Sequence, residues 1–379
     1  MPRFLHTADW QIGKLFGQFD AVEAALLADE RFNAVERLAR LATEHAVDAV
    51  LVAGDVFDVQ TVSDRTVHRL FHALGGFAGR WVMIPGNHDA ALAESVWTRA
   101  ARLDAMPANL TVCLSPTPLL LDDLQVAVLP APLTQRNTYN DLTEWFAAAD
   151  TPAGYLRVGL AHGSVQGVLA EDIDSPNPIA ADRAASARLD YLALGDWHGT
   201  REIDPRTWYA GTPETDRFRA NASGQALLVD IAAPGVLPVV TPITTGRYRW
   251  HTIAAELQVP SDLDMLLAGL ADLGATDVVQ LAVRGRTDLA GHRRLTEAIG
   301  QAQGRARSLT VDLAELRVDP SAADLEALAA EGYLADVVSA LRAAQAEQDP
   351  ARAQAARDAL VILAGLLAAR RPVGKGAGQ

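Results

Sequence analysis

The sequence predicts an α/β fold with its chemistry at the strand ends, and three observations carry that prediction. Short apolar runs, of which Ala49-Val50-Leu51-Val52-Ala53 is the clearest, have the length of strands buried on both faces. They alternate with longer segments of helical spacing. Several of the runs end in polar residues of metal-ligand type, where open α/β sheets hold their ligands.

Taken in order, residues 3–6 form a first strand, followed by Thr7-Ala8-Asp9-Trp10-Gln11-Ile12-Gly13-Lys14. Residues 21–44 place Val22, Leu26, Phe32, Val35, Leu38 and Leu41 close to helical spacing, so a long amphipathic helix is expected. Gly54 ends the central strand and Asp55 stands at its carboxyl end. Ser63 N-caps a helix running to about residue 74, with Gly75 and Gly76 as its stop. A third strand over 81–84 ends in Pro85-Gly86-Asn87-His88-Asp89. From 110 to 131 short strands are separated by Pro and Asp. The strand over 156–161 ends in His162-Gly163-Ser164, and the one over 191–194 in Gly195-Asp196-Trp197-His198-Gly199. Between them, 171–187 reads as an irregular loop and a short helix. Residues 208–213 and 225–231 add two strands.

Pro234, Pro238 and Pro242 set a boundary near 245–255. Beyond it, 278–283 is strand-like, 290–303 helix-like and 309–313 strand-like, a small α+β unit. Ser321 with Asp324 has the pattern of a capping box. Residues 323–346 and 351–370 read as two helices and 374–379 as a frayed tail. The expected division is 1–250, 251–320 and 321–379.

Of the 379 residues, 49% are apolar and 21% charged, as in ordinary globular proteins. The single cysteine, Cys113, excludes an internal disulfide and fits a reducing compartment. The first residues run straight into a strand, and no apolar run reaches the roughly 18 residues of a membrane span. A cytoplasmic protein without membrane attachment is expected. The net charge of −14 excludes a broadly basic, nonspecific nucleic-acid binder but not an enzyme acting on nucleic acid.

Asp9, Gln11, Asp55, Asn87, His162, Asp196 and His198 are the candidate metal ligands, each just after an expected strand. Two divalent ions about 4 Å apart need a bridging anion and a handful of N and O donors, and a carboxylate such as Asp55 has two oxygens with which to bridge. His88, beside Asn87, is left to face the substrate as a proton donor. Each motif alone is ordinary: Gly54-Asp55 is a turn in most proteins, Asn87-His88-Asp89 a loop, and His162 a half-buried histidine. Their joint order along the chain carries the assignment. His6, His45, His68, His72, His251 and His292 fall outside the set.

The order D-x-[HQ], GD-x-x-D, GNHD, HG, G-x-x-H resembles the calcineurin-like metallophosphoesterases. His6-Thr7-Ala8-Asp9-Trp10, Gly54-Asp55-Val56-Phe57-Asp58 and Gly86-Asn87-His88-Asp89 resemble more narrowly the SbcD-type DNA-repair nucleases. The resemblance covers residues 6–213. It implies a four-layer αββα sandwich of two mixed sheets, followed by a small α+β capping domain and C-terminal helices that bind an ATPase. It implies one ion on Asp9, Gln11, Asp55 and His198, and a second on Asp55, Asn87, His162 and Asp196. His88 matches the residue that assists the leaving group, Asp58 lies where some relatives carry a DNA-handling His, and Gly211-Thr212 matches a stretch beside the substrate. Gln11 and Asp196 depart from the family's usual histidines. Both still offer oxygen donors, and the more oxygen-rich set favours Mn²⁺, with Mg²⁺ next, over Zn²⁺.

The implied activity is that of a metal-dependent nuclease acting on DNA in repair, with an SbcC-like coiled-coil ATPase as partner. A phosphodiesterase or phosphatase for small nucleotides, and a weakly active scaffold with poor metal affinity, are the alternatives. The unit at 255–320, for which a small-substrate enzyme has less need, favours the first. The helices around 63–75 and 93–104 are placed to pair two subunits in a homodimer, as in SbcD-type relatives, or equally to pack on the core.

Overall fold

The computed structural model describes residues 1–167 and 176–318, with 333–345 and scattered positions from 349 to 363. The chain divides into two units, Met1–Arg249 and Trp250–Gln379. Strands of the first unit are β1 (Arg3–Thr7), β2 (Ala49–Ala53), β3 (Arg80–Ile84), β4 (Leu110–Val112), β5 (Leu119–Leu121), β6 (Val126–Ala131), β7 (Leu156–His162), β8 (Ser164–Val165), β9 (Pro178–Ile179), β10 (Tyr191–Gly195), β11 (Arg201–Asp204), β12 (Thr207–Tyr209), β13 (Gln225–Asp230) and β14 (Val239–Thr244). They form two six-stranded mixed sheets, ordered β14-β13-β1-β2-β3-β4 and β11-β12-β10-β7-β6-β5, and a short β8-β9 pair. In the first sheet β1, β2, β3 and β4 are parallel; in the second, β6, β7, β10 and β12 are.

The alternation of side chains along β2 shows how four layers arise. Val50 and Val52 face the helices α1 (Ala21–Glu44), α2 (Asp64–Ala73) and α3 (Val96–Arg102), packing with Leu38, Leu70 and Trp97. Ala49, Leu51 and Ala53 face the second sheet, packing with Val128, Leu160 and Tyr191. The outer face of that sheet is covered by Phe146 and by Ala184 of the short helix α4 (Arg183–Ser186). The result is the four-layer sandwich that the resemblance implied. Helix starts follow the sequence: Asp20 accepts from the Val22 and Glu23 amides, and Ser63 from that of Thr66. The apolar faces of α2 and α3 pack on the core, with Val67, Leu70, Val96 and Trp97 buried.

The facing sheets are also joined by a polar contact. His6 on β1 is fully buried, with Nδ1 2.9 Å from the Tyr191 hydroxyl and Nε2 3.2 Å from the Leu194 carbonyl, both on β10. A carbonyl only accepts, so Nε2 carries the proton and Nδ1 receives the Tyr191 hydroxyl. Burial holds the ring neutral, with its pKa pushed down to about 3.

The second unit has its own sheet and core. Strands β15 (Arg249–Leu257), β16 (Asp277–Thr287) and β17 (Ser308–Asp312) pair in that order, and β18 (Leu316–Val318) also pairs with β16. Helices α5 (Pro260–Ala271) and α6 (Leu289–Arg305) bury Leu263, Leu266, Leu270, Leu295 and Ile299 against Val279 and Leu281. The sequence reading lacks β15 and α5 and shortens β16. A helix follows over Tyr333–Gln345. The Ser321 capping pattern, much of the final helical stretch and the 374–379 tail lie outside the described residues.

Candidate metal centre

The parallel strands set the site. The carboxyl ends of β1, β2 and β3 in one sheet meet those of β7 and β10 in the other. Two loops there are stitched together: the Asp9 amide donates to the Gly54 carbonyl (3.1 Å), that of Gln11 to Asp55 (2.9 Å) and that of Ile12 to Val56 (2.9 Å). Asp9, Gln11 and Asp55 all adopt left-handed backbone, with φ of 54°, 49° and 53°. Non-glycine residues hold such angles at a cost of about 1–3 kcal/mol, and strain of this kind clusters at functional sites. Gly54 and Gly86 are required by close approach. A Cβ on Gly54 would lie 2.4 Å from His162 Nδ1, and one on Gly86 2.3 Å from an Asp55 oxygen.

Asp9, Asp55 and His162 are buried and offer ligand atoms all within 4.8 Å of one another. His162 Nε2 lies 3.5 Å from Asp55 and 3.8 Å from Asp196. It is also 3.2 Å from Asn87 Oδ1. The Ala53 carbonyl, 2.7 Å from His162 Nδ1, fixes the tautomer and leaves Nε2 facing the cluster, the arrangement that orients metal-binding histidines. Burial pulls the His162 imidazolium down, but the carboxylates of Asp55, Asp9 and Asp196 outweigh it and hold its pKa up to about 9. Burial raises Asp196 to about 6, and Asp9 is raised for the same reason. Crowded buried carboxylates that retain a proton on the neighbouring imidazole fit a divalent cation. Its donors would be Asp9, Asp55, His162, Asn87 and Asp196, all oxygen or imidazole nitrogen.

Gln11 and His198 are placed differently. Gln11 donates its amide nitrogen to Asp55 Oδ2 at 2.7 Å, so its oxygen must turn inward to act as a ligand. His198 Nδ1 is 3.1 Å from Asp216 Oδ2, and Arg217 Nη2 lies 2.7 and 3.2 Å from the two ring nitrogens. With Nδ1–H donated to Asp216, the Nε2 lone pair faces the Arg217 guanidinium. The site therefore has a tight half around His162 and a half whose candidate ligands, Gln11 and His198, already have partners.

Three residues of the site were not found in the sequence. Asp216 is buried and ion-pairs with Lys14 and Arg217 as well as with His198. Burial raises its carboxyl, but His198, Arg31 and Lys14 hold it well below the ordinary range. Arg31, in α1, is buried beneath the ligand loops. It donates to the carbonyls of Trp10 (2.6 Å), Asp9 (3.0 Å) and Glu214 (3.2 Å) and to the Thr212 hydroxyl (2.9 Å). Asp89 accepts from the amides of Gly86 (2.6 Å), Val56 (2.9 Å) and Phe57 (3.1 Å), tying the Gly54-Asp55 turn to the Gly86-Asn87-His88 turn.

His88 is half-buried at the edge of the cluster. Its amide donates to Asp55 Oδ1 (2.9 Å) and its Nδ1 donates to the Asp58 carbonyl (2.7 Å), which leaves Nε2 available. Asp58 meets His88 through its backbone. Gly211 packs on Gly199, and Thr212 is fully buried, its amide on the His198 carbonyl and its hydroxyl bonded to Glu214 and Arg31.

Residues 2–231 match the family described as calcineurin-like phosphoesterase. The DNA double-strand break repair protein Mre11 of Aeropyrum pernix is 28% identical over 277 residues, 68% of this chain and 64% of that protein. The SbcD component of the SbcCD nuclease of Rhodobacter capsulatus is 38% identical over 96 residues, 24% of this chain. That of Bacillus subtilis is 30% identical over 91 residues, 23% of this chain. Each of these two matches spans 22% of the relative. The chain thus covers less than two thirds of these relatives' lengths.

Proposed function

Because this chain belongs to the calcineurin-like phosphoesterase family, we propose that it is a metal-dependent phosphodiesterase that cleaves DNA in repair. The observation that carries this reading is the meeting of Asp9, Asp55 and His162 within 4.8 Å, with His88 oriented at their edge. The similarity to Mre11 and to two SbcD proteins supports DNA as the substrate.

Divalent ions bound here would activate a water and screen the charge of the phosphoryl group. The chain supplies the rest. Asp55, between Gln11 and His162, stands where a carboxylate serves both halves of the site. Asp9 lies against Asp196, whose amide it accepts at 3.0 Å, so the two sheets hold their ligands in fixed register. His88 donates Nδ1–H to the Asp58 carbonyl, so a second proton on Nε2 makes it an acid for the departing oxygen. His88→Asn should lose about 10²–10⁴-fold in turnover while keeping its bound metal; equal loss of metal and turnover would make His88 a ligand instead.

The deciding experiment is cleavage of linear duplex, single-stranded and hairpin DNA beside bis(p-nitrophenyl) phosphate, with Mn²⁺, Mg²⁺ and Zn²⁺ in turn. Cleavage of DNA together with the small diester is expected. Turnover of the small diester alone would favour a small-nucleotide enzyme, and turnover of neither would leave a scaffold. We also propose an SbcC-like coiled-coil ATPase as partner, bound through the C-terminal helical region. Truncation after residue 345 should abolish co-purification and spare small-diester hydrolysis; retained co-purification would overturn that assignment.

A further inference from the structure

His198 is a candidate ligand whose lone pair is already taken, and the group that takes it is a cation. Arg217 Nη2 lies 3.2 Å from His198 Nε2 and 2.7 Å from Nδ1. With Nδ1–H given to Asp216, only Nε2 can accept, and the guanidinium covers the nitrogen on which an ion would sit. The contact lies at the candidate centre itself. Burial raises the Asp9 and Asp196 carboxyls, and the charge of His198 pulls both back down. A guanidinium and a divalent cation cannot share one lone pair, so Arg217 must leave Nε2 before His198 can ligate.

Where Arg217 goes is set by its anchor. Asp216 is buried and accepts from Arg217 Nε at 3.1 Å, a bond that keeps the guanidinium beside His198 whichever partner its Nη atoms take. The Arg217 side chain is 43% exposed, against 0% for Asp216. Among the described residues its Nη1 has no hydrogen-bond partner. Lys14 pairs with the same carboxylate, and among the described residues neither cation pairs with another. One negative charge thus serves two permanent cations beside the candidate centre, an excess that suits an incoming anion. The planar guanidinium presents parallel N–H donors that match the two non-bridging oxygens of a phosphodiester.

We propose that Arg217 has two positions: it covers His198 Nε2 in the metal-free protein, then gives way to the ion and binds a non-bridging oxygen of the phosphodiester being cleaved. The inference rests on the phosphodiesterase reading and deepens it, adding a catalytic residue from outside the ligand set. Its two roles have opposite signs. Arg217 weakens the looser ion and strengthens the hold on phosphate.

The test is titration of the metal-free full chain with Mn²⁺, then of the loaded protein with inorganic phosphate, for the wild type, Arg217→Ala and Arg217→Gln. Thermal melts in EDTA confirm that the variants fold, and the glutamine variant, closer in shape, carries the test if alanine is not tolerated. If the guanidinium holds Nε2 about nine-tenths of the time, its removal should tighten the looser ion about tenfold and leave the tighter one unchanged. Phosphate should bind the loaded variants about tenfold more weakly. Their kcat/KM on bis(p-nitrophenyl) phosphate should fall about 10²–10³-fold. Added guanidinium should restore part of the turnover that Arg217→Ala loses, which a merely structural role would not permit. A looser ion that is unchanged or weakened in both variants, a single Mn²⁺ site in all three proteins, or an unchanged phosphate affinity would overturn the proposal. If the wild type hydrolyses the small diester and the variants keep its ion affinities and its turnover, the two-position arginine falls and the phosphodiesterase reading stands. If the variants shift ion and phosphate binding in these opposite directions but the wild type hydrolyses neither DNA nor the diester, the reverse holds.

Discussion

The proton on His162 gives the sharpest test of the metal assignment. In the metal-free protein its pKa is held up to about 9, so the ring is an imidazolium at pH 7. A histidine binds metal only through a neutral nitrogen, so an ion must displace that proton. At pH 7 only about one ring in 100 is neutral. The apparent affinity should therefore be about 100-fold below its high-pH limit, about 2.7 kcal/mol at 1.36 kcal/mol per pH unit. Isothermal titration of metal-free protein with Mn²⁺ between pH 6.5 and 8.5 should show affinity rising about tenfold per unit. Repeating it at pH 7 in buffers of different ionisation enthalpy should count about one proton released. Stability should move the opposite way. The folded pKa lies above the ordinary 6.5, so the contribution is complete below pH 6.5 and is lost as pH rises through 9. In EDTA the melting temperature should fall over that window, and in Mn²⁺ the loss should be offset. A flat affinity from pH 6.5 to 8.5, or no proton released, would refute the assignment of His162 as a ligand.

Asp216→Asn removes the carboxylate that orients His198 and should weaken the looser ion about 10–100-fold, leaving the tighter one nearly unchanged, as read by two-site titration. Gln11→His should tighten that same looser ion, and activity should follow Mn²⁺ over Mg²⁺ with Zn²⁺ poor; tightly held Zn²⁺ at both sites with maximal activity would contradict the donor argument. His6→Phe strands the Tyr191 hydroxyl and the Leu194 carbonyl between the sheets and should cost about 2–4 kcal/mol in urea unfolding. The wild type, whose His6 stays neutral in the fold, should lose stability as pH falls from 6.5 toward 3, and His6→Phe should show less of that loss.

The layers were legible because the buried strands are written as unbroken apolar runs with polar ends. Ala49–Ala53 is buried at every position, and the residues after it are the site. Asp9, Asp55 and His162 could be picked out because each follows such a run. Asp216 and Arg31 could not. Asp216 follows no strand, and its importance comes from Lys14, 202 residues away in sequence, and from His198, 18 away. Arg31 sits in an amphipathic helix, where a cation reads as solvent-facing; only the carbonyls converging on it show otherwise. In the second unit, β15 turns Ile253, Ala255 and Leu257 toward its core, and most of its residues are exposed, so its pattern is weak. Helix α5 did carry a signal, with Pro260 at its first turn and Leu263, Leu266 and Leu270 on one face.

The division of the candidate ligands between two sheets bears on how the protein folds. Asp9, Asp55 and Asn87 arrive within the first 90 residues, but His162 and Asp196 come from strands synthesised much later. The Asp196 amide reaches Asp9 across 187 residues, and His162 reaches Ala53 across 109. Contacts of such separation form late, after the loop-closure entropy has been met. The N-terminal half alone thus holds carboxylates without the imidazole that completes them. On the proposed ligand set, metal capture would mark the docking of one sheet on the other. If that docking follows the rate-limiting step, bound metal slows unfolding and leaves the rate of folding nearly unchanged.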